Sequence, residues 1–114
     1  MLENLYGDIV SDIGAGLVGG LGLVPGVNLG DSCSVFESIH GSAPLIAGKN
    51  EANPTAIILS SVLMLHSLNE HETASKIAEA VEKVYKSQKV LTKDVGGKAT
   101  TLEFTDAILE HLVT

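Results

Sequence analysis

Asp8 and Asp12 stand four apart in the stretch NLYGDIVSDIGAGLVGG, residues 4 to 20. On a helix, that spacing puts both carboxylates on one face, a single turn apart. Two carboxylates held together repel unless a cation lies between them, and their hard oxygens suit Mg²⁺ or Mn²⁺. The same residues also suit a plainer arrangement, with Asp8 as a helix N-cap and Asp12 as a surface charge in the first turn. A pair of aspartates does not complete a coordination shell, so further ligands have to come from elsewhere. A second pattern overlaps the first: Gly14-Ala-Gly16-Leu-Val-Gly19 matches the G-x-G-x-x-G of dinucleotide-binding turns. That turn requires a hydrophobic strand running straight into its first glycine. Gly14 instead follows IVSDI, whose spacing belongs to a helix already under way. Five glycines between 14 and 22 also meet so loose a pattern by chance, and they read as close packing and a flexible connection.

Bulk composition narrows the field. The chain has 114 residues, 45% of them hydrophobic, with a formal charge of −7. That is one small domain with enough apolar material for a core. No cluster of Lys or Arg is present to displace phosphate counterions, which excludes a nucleic-acid surface. Cys33 is the single cysteine, so no internal disulfide forms, and the residue reads as a small buried or half-buried side chain ahead of a reactive thiol. No basic segment followed by an apolar run marks a signal peptide. The most apolar stretch, Ala56 to Leu68, is broken by Ser60, Ser61, His66 and Ser67 and is too short to span a bilayer.

The elements that must carry these residues are punctuated unevenly. Residues 4 to 7 read as the end of a strand, and a helix runs from Asp8 to about Leu17 with Ile9, Ile13 and Leu17 in one stripe. Glycines and Pro25 then break regular structure. Ser34 to Ser38 is a short strand and HGSAP, residues 40 to 44, a loop. Asn53 caps a helix with Pro54 at its first position, running to about Leu68. Its apolar residues go most of the way round, which predicts a helix enclosed by other elements. Asn69 and Glu72 form a capping box for the next helix. There Ile77, Val81, Val84 and Tyr85 make one face, and Glu79–Lys83 and Glu82–Lys86 pair on the other. Thr100 and Glu103 open a last helix, buried through Phe104, Ala107, Ile108 and Leu112. Several helices matched with few strands resemble part of a larger α/β domain.

Three runs carry a family resemblance: NLYGDIVSDIGAGLVGGLGLVPG, VFESIHGSAPLIAGKNEANPTAIILSSVLML and TKDVGGKATTLEFTDAI. Together they span essentially the whole chain and resemble the β-decarboxylating dehydrogenases, the isocitrate and 3-isopropylmalate dehydrogenases. ANPTAIILSSVLML and TKDVGGKATT look most like the NAD-dependent isocitrate dehydrogenase subunits. The resemblance implies an α/β, isocitrate/isopropylmalate dehydrogenase-like three-layer fold without a Rossmann motif, of which residues 1–114 would be the C-terminal, helix-rich part. It implies that Asp8 and Asp12 are metal ligands for Mg²⁺ or Mn²⁺, with a third aspartate from a neighbouring subunit. It places His40, Gly41, Ser42, Ala43, Leu45, Ile46, Asn53 and Asp94 around the adenosine part of NAD, and Glu37 near the nicotinamide end. The implied substrate is isocitrate or a related 2-hydroxy acid, oxidised and decarboxylated to the 2-oxo acid.

Cofactor choice follows from charge. NADP discrimination calls for Lys or Arg beside the 2′-phosphate, but Leu45 and Ile46 follow HGSAP, and Gly97 sits where NADP-using relatives place arginine. NAD is favoured. Leu45 is also the main departure, because NAD-using relatives have Asp there to accept hydrogen bonds from the ribose diol. It leaves a non-catalytic regulatory subunit as an alternative reading. The family's substrate-binding arginines, catalytic tyrosine and lysine have no counterpart in these 114 residues, so the chain alone is expected to be inactive, as a truncated product or separated C-terminal piece. Likeness further implies homologous subunits as partners, no nucleic acid, no membrane, and a mitochondrial matrix location in a eukaryote or the cytoplasm otherwise.

Overall fold

A computed structural model of the chain describes residues 2–113. Four helices and one hairpin make up the fold. Helix α1 spans Asn4–Val18, strands β1 and β2 span Pro25–Leu29 and Ser34–Ser38, and helices α2, α3 and α4 span Thr55–Ser67, His71–Ser87 and Thr101–Val113. Single 3₁₀ turns occupy Leu21–Leu23 and Lys93–Val95. The strands pair antiparallel, Pro25 opposite Ser38 and Leu29 opposite Ser34. Helix α2 packs against this hairpin and against α3, and α3 packs against α4.

The firmest packing lies between α3 and α4. Ala80, Val81, Val84, Phe104 and Ile108 form one buried cluster, with Ile58, Tyr85, Leu91 and Ala107 against it. The expected apolar face of α3 supplies Val81 and Val84, Ala80 joins them, and Phe104 is fully buried among them. Helix α4 opens on the expected capping box. The Glu103 carboxylate accepts the Thr100 N–H at 2.8 Å, and the Thr100 hydroxyl accepts the Glu103 N–H at 3.2 Å. Hydrogen bonds from Thr100 hold the Glu103 carboxyl below the ordinary glutamate range. Leu112, by contrast, is exposed at the end of α4 instead of buried.

Ser60 ties α2 to the hairpin. Its hydroxyl is buried and accepts the Gly26 N–H at 3.3 Å. It lies 2.7 Å from the Glu37 carbonyl and 2.9 Å from the Ala56 carbonyl, with one proton to donate between them. Gly26 is required here, because a Cβ would come within 2.7 Å of Ile39 Cγ2 and 2.9 Å of the Glu37 carbonyl oxygen. The strand at Pro25–Leu29 occupies residues whose glycine and proline content predicts only a turn. Its glycine serves close backbone approach rather than a break.

Other local expectations shift for identifiable reasons. Residues 4 to 7 are the first turn of α1, not a strand end. Asn69 ends α2 instead of opening α3. It adopts φ 64°, and the pair Glu70 N–H to Leu65 C=O (2.9 Å) and Asn69 N–H to His66 C=O (3.1 Å) forms a Schellman turn. Glu72 is drawn away from a capping role by Lys76, which it meets at 2.7 Å, and Lys86 pairs with Glu82 at the same distance. Cys33 is exposed, not buried. Helix α2 is not enclosed within this chain, since Ile57 and Met64 lie on the surface. Helix α1 is barer still: it buries Ala15 alone and exposes Leu5, Tyr6, Ile9, Val10, Ile13 and Leu17.

Because Phe104 fills the α3–α4 core with no solvent contact, Phe104→Ala is expected to lower unfolding stability by about 3–5 kcal/mol. Urea denaturation followed by circular dichroism measures it, and a loss below about 1 kcal/mol would contradict this packing.

Candidate functional site

A pocket of about 360 Å³ opens where the loop after β2 meets the start of α2 and the Lys93–Val95 turn. His40, Gly41, Ser42, Ala43, Ile46, Asn53 and Asp94 all line it. These are the residues that the resemblance assigns to adenosine, with one omission: Leu45 lies outside the lining and is 84% exposed. Gly22, Asn50, Glu51 and Thr101 also stand in the wall and were not singled out from the sequence. Asn50 stands there because its carbonyl accepts the Thr101 N–H at 2.9 Å and its side chain accepts the Leu102 N–H at 3.2 Å, pinning the loop to α4.

The loop itself is tightly turned. Ala43 has φ 41°, a left-handed conformation that an L side chain adopts at a cost. Its carbonyl accepts the Ile46 N–H at 3.0 Å, and the Ile46 carbonyl accepts the Lys49 N–H at 3.1 Å. His40 is exposed, and its ring Nδ1 lies 3.0 Å from the Gly41 carbonyl. A carbonyl only accepts, so Nδ1 is the donor in this contact.

The pocket floor is a closed circuit of hydrogen bonds. Asn53, 8% exposed, donates from Nδ2 to the Tyr85 hydroxyl at 3.1 Å. The Tyr85 hydroxyl lies 2.7 Å from Thr55 Oγ1, which donates to Asn53 Oδ1 at 2.6 Å. The threonine proton is thereby spent, so Tyr85 is the donor to Thr55 and the three side chains close a ring with one sense of donation. Asn53 Oδ1 also accepts the Thr55 N–H at 3.0 Å, which caps α2, and Nδ2 donates to Asp94 Oδ2 at 3.0 Å. Thr92, fully buried, holds the other Asp94 oxygen at 2.6 Å. Both donors and both acceptor positions of the Asn53 amide are occupied by protein. Its side chain has no hydrogen-bonding position left over.

A second depression adjoins the first. Asp8, Ser11, Asp12, Asn28, Glu37 and His40 line it, so His40 is a wall common to both. Helix α1 brings Asp8 and Asp12 to the same opening, as their spacing requires. Asn28 on β1 donates to the Glu37 carboxylate at 3.0 Å and orients it. The carboxylates of Asp8, Asp12 and Glu37 offer hard oxygens, which fit Mg²⁺ or Mn²⁺. Among the described residues no group of three or more His, Cys, Asp or Glu is arranged to hold a metal ion.

Gly97 has a steric reason to be glycine. A Cβ there would lie 1.8 Å from the Leu91 carbonyl oxygen, in a loop fixed by Gly97 N–H to Thr92 C=O at 2.9 Å and Ala99 N–H to Leu91 C=O at 2.8 Å. No side chain enters at this position without moving backbone. No Lys or Arg lines the His40–Asn53 pocket either, whereas Glu51 and Asp94 do.

Removing the Tyr85 hydroxyl opens the ring but keeps the edge-to-face contact with Phe104, whose ring centroid is 5.5 Å away. Tyr85→Phe is expected to cost about 1 kcal/mol of stability in urea unfolding. Asn53→Ala, which also removes the α2 cap and leaves Asp94 short of a donor, is expected to cost about 2 kcal/mol. Equal losses for the two would argue against a ring centred on Asn53.

Comparison with known proteins follows the same residues. The isocitrate/isopropylmalate dehydrogenase family matches residues 1–108. The mitochondrial isocitrate dehydrogenase [NAD] catalytic subunit 5 of Arabidopsis thaliana is 54% identical over 113 residues, 98% of this chain and 30% of that protein. The 3-isopropylmalate dehydrogenase of Methanothermobacter thermautotrophicus is 52% identical over 109 residues, 96% of this chain and 33% of that one. The crystal structure of isocitrate dehydrogenase from Methylococcus capsulatus superposes with a TM-score of 0.93 at 42% identity, over 97% of this chain and 33% of that one. The chain thus spans about a third of the length of the relatives it matches. Two substrates appear among relatives of nearly equal identity, and one fold accommodates both. The chain is a member of the isocitrate/isopropylmalate dehydrogenase family.

Proposed function

We propose that this chain is the C-terminal part of an NAD-dependent isocitrate dehydrogenase, supplying the adenosine pocket and two of the metal ligands. The observation that carries the reading is His40, which stands in the wall of both depressions. One is a neutral-to-acidic cleft of adenosine size, and the other an opening lined by the carboxylates of Asp8, Asp12 and Glu37. A dinucleotide laid across His40 has its adenosine end over Asn53 and Asp94 and its nicotinamide end beside Glu37. The absence of basic side chains from the pocket lining, together with the blocked Gly97 position, favours NAD over NADP.

Asp8 and Asp12 would hold Mg²⁺ or Mn²⁺. When bound there, a divalent ion supplies Lewis acidity to a 2-hydroxy acid whose hydroxyl hydrogen and hydride are to be lost. The chain's own residues do the positioning. Asn28 holds the Glu37 carboxylate, the turned backbone at Gly41–Ala43 brings the loop close to the sugar, and the Asn53 ring keeps the pocket floor rigid. The ligands that complete the metal shell and read the substrate's third arm come from outside this segment, in homologous subunits and the remaining two thirds of the enzyme. The bare apolar face of α1 suits packing against them. Isocitrate is the favoured substrate and 3-isopropylmalate the alternative. A mitochondrial matrix location goes with the first where the organism is a eukaryote.

Titration of the chain with Mn²⁺ and NAD, followed by protein NMR, tests the reading. Shifts confined to Asp8, Asp12 and Glu37 for the ion, and to residues 40–53 and Asp94 for NAD, are expected. Binding of neither ligand would overturn it, and binding of NAD with no response to Mn²⁺ would favour a regulatory subunit. Asp8→Asn is expected to weaken Mn²⁺ binding at least tenfold, since it removes one of two charged ligands.

Leu45 gives a separate expectation. An Asp at this position would accept hydrogen bonds from the ribose diol, an interaction of about 1.5–3 kcal/mol when shielded and less at so exposed a site. Leu45→Asp is therefore expected to tighten NAD binding about tenfold in isothermal titration. An unchanged dissociation constant would show that the leucine is no handicap.

A further inference from the structure

His66 and His71 flank the turn between α2 and α3, and neither lines the His40–Asn53 pocket or the Asp8–Asp12 opening. Their Nδ1 atoms lie 3.0 Å apart, with ring centroids 5.3 Å apart and planes inclined by 36°. Both side chains are exposed, so burial does not force this approach. The backbone does. His66 is the third-last residue before the αL residue Asn69, and its carbonyl accepts the Asn69 N–H. The Leu65 carbonyl accepts the Glu70 N–H, and the Glu70 carbonyl accepts the Ala74 N–H at 3.0 Å, so α3 begins at once with His71. A Schellman turn leaves the chain little freedom in φ and ψ between the two histidines. They meet because the turn delivers them to the same spot.

We infer that this histidine pair is a binding site for a borderline divalent transition ion of the Zn²⁺, Ni²⁺, Co²⁺ or Cu²⁺ type, held by the Nδ1 atoms of His66 and His71. A tetrahedral ion with bonds of about 2.0–2.1 Å to imidazole nitrogen separates two such ligands by about 3.3–3.4 Å. The existing 3.0 Å needs to open by only a few tenths of an ångström, within the play of two exposed rings. In the metal-free pair one Nδ1 carries a proton that it shares with the other. Binding requires the ring that carries the Nδ1 proton to pass to its Nε2–H tautomer by exchange with solvent, so that both rings ligate as neutral Nε2–H tautomers with no net gain or loss of protons and no co-reactant. Imidazole donors select these ions over Mg²⁺ or Ca²⁺, which prefer oxygen. With no third His, Cys, Asp or Glu in a ligating arrangement among the described residues, water fills the remaining positions. The site is consequently open and exchangeable, and it closes a clamp across the α2–α3 turn.

Titration of the chain with Zn²⁺ and, separately, Ni²⁺, read by isothermal calorimetry and by histidine ring NMR signals, tests the inference. One saturable event at this pair is expected, shifting the resonances of His66 and His71 separately from any response at His40 or His111. His66→Ala and His71→Ala, at exposed positions, should each weaken binding at least tenfold, whereas Asp8→Asn should leave it unchanged. Absence of saturable binding at submillimolar ion, or affinity altered less than tenfold by both histidine substitutions, would overturn it. Loss on Asp8→Asn with retention in the histidine variants would do the same, assigning the ion to the carboxylate opening instead.

Discussion

The side-chain amide of Asn53 holds together the floor of the His40–Asn53 pocket. Through one carboxamide it caps α2, binds Tyr85 on α3 and grips Asp94 on the loop before α4. A buried amide needs all of its hydrogen-bonding positions filled, since an unmet donor or acceptor costs about 1–3 kcal/mol. Here the filling partners come from three elements that the chain visits at widely separated points. The ring through Thr55 and Tyr85 runs in one sense, so each hydroxyl polarises the next. This arrangement fixes which end of the amide faces which element and leaves none of it for a ligand. Rigidity beneath the pocket thus falls to this one side chain.

Much of this was legible in the sequence because it rests on short-range rules. Asn53 and Pro54 announce a helix start by type alone, and Thr100 with Glu103 forms the capping box that the spacing predicts. HGSAP is a loop because small residues and proline leave it no other choice. The spacing of Asp8 and Asp12 places both at one opening. What the sequence hides is long-range. Tyr85 reads as one more residue of an apolar stripe, and only the fold shows its hydroxyl meeting an amide 32 residues away. Thr92 gives no local sign that it will be buried under Asp94.

The misread elements share a cause. Glycine and proline at 25 and 26 signal a break when taken as propensities, yet Gly26 is present so that Ser60 and Glu37 can come close to a strand. Asn69 and Glu72 satisfy the pattern of a capping box. The αL preference of asparagine and the proximity of Lys76 offer each residue a better use. The all-round apolar character of α2 reports a helix meant for burial, but pattern alone cannot say which neighbours do the burying. In each case the residue types were read correctly and their partners were not.

The two depressions that meet at His40 are built to different firmness. The adenosine-sized pocket stands on α2, α3 and α4, whose shared core includes Phe104 and Val84. The carboxylate opening depends on α1, which contributes one buried alanine and contacts chiefly the Leu21–Leu23 turn. Few buried apolar contacts mean low local stability, so α1 belongs to the part of the fold that opens most readily. Ordering it is a cost charged to whatever binds at Asp8 and Asp12, whereas the Asn53 pocket is already paid for by the core. Any surface that covers the exposed Ile9, Ile13 and Leu17 removes that cost, and would raise affinity for an ion at the two aspartates without touching either carboxylate. For the proposed ion at Asp8 and Asp12, affinity and the docking of α1 would in this way be one equilibrium read at two places.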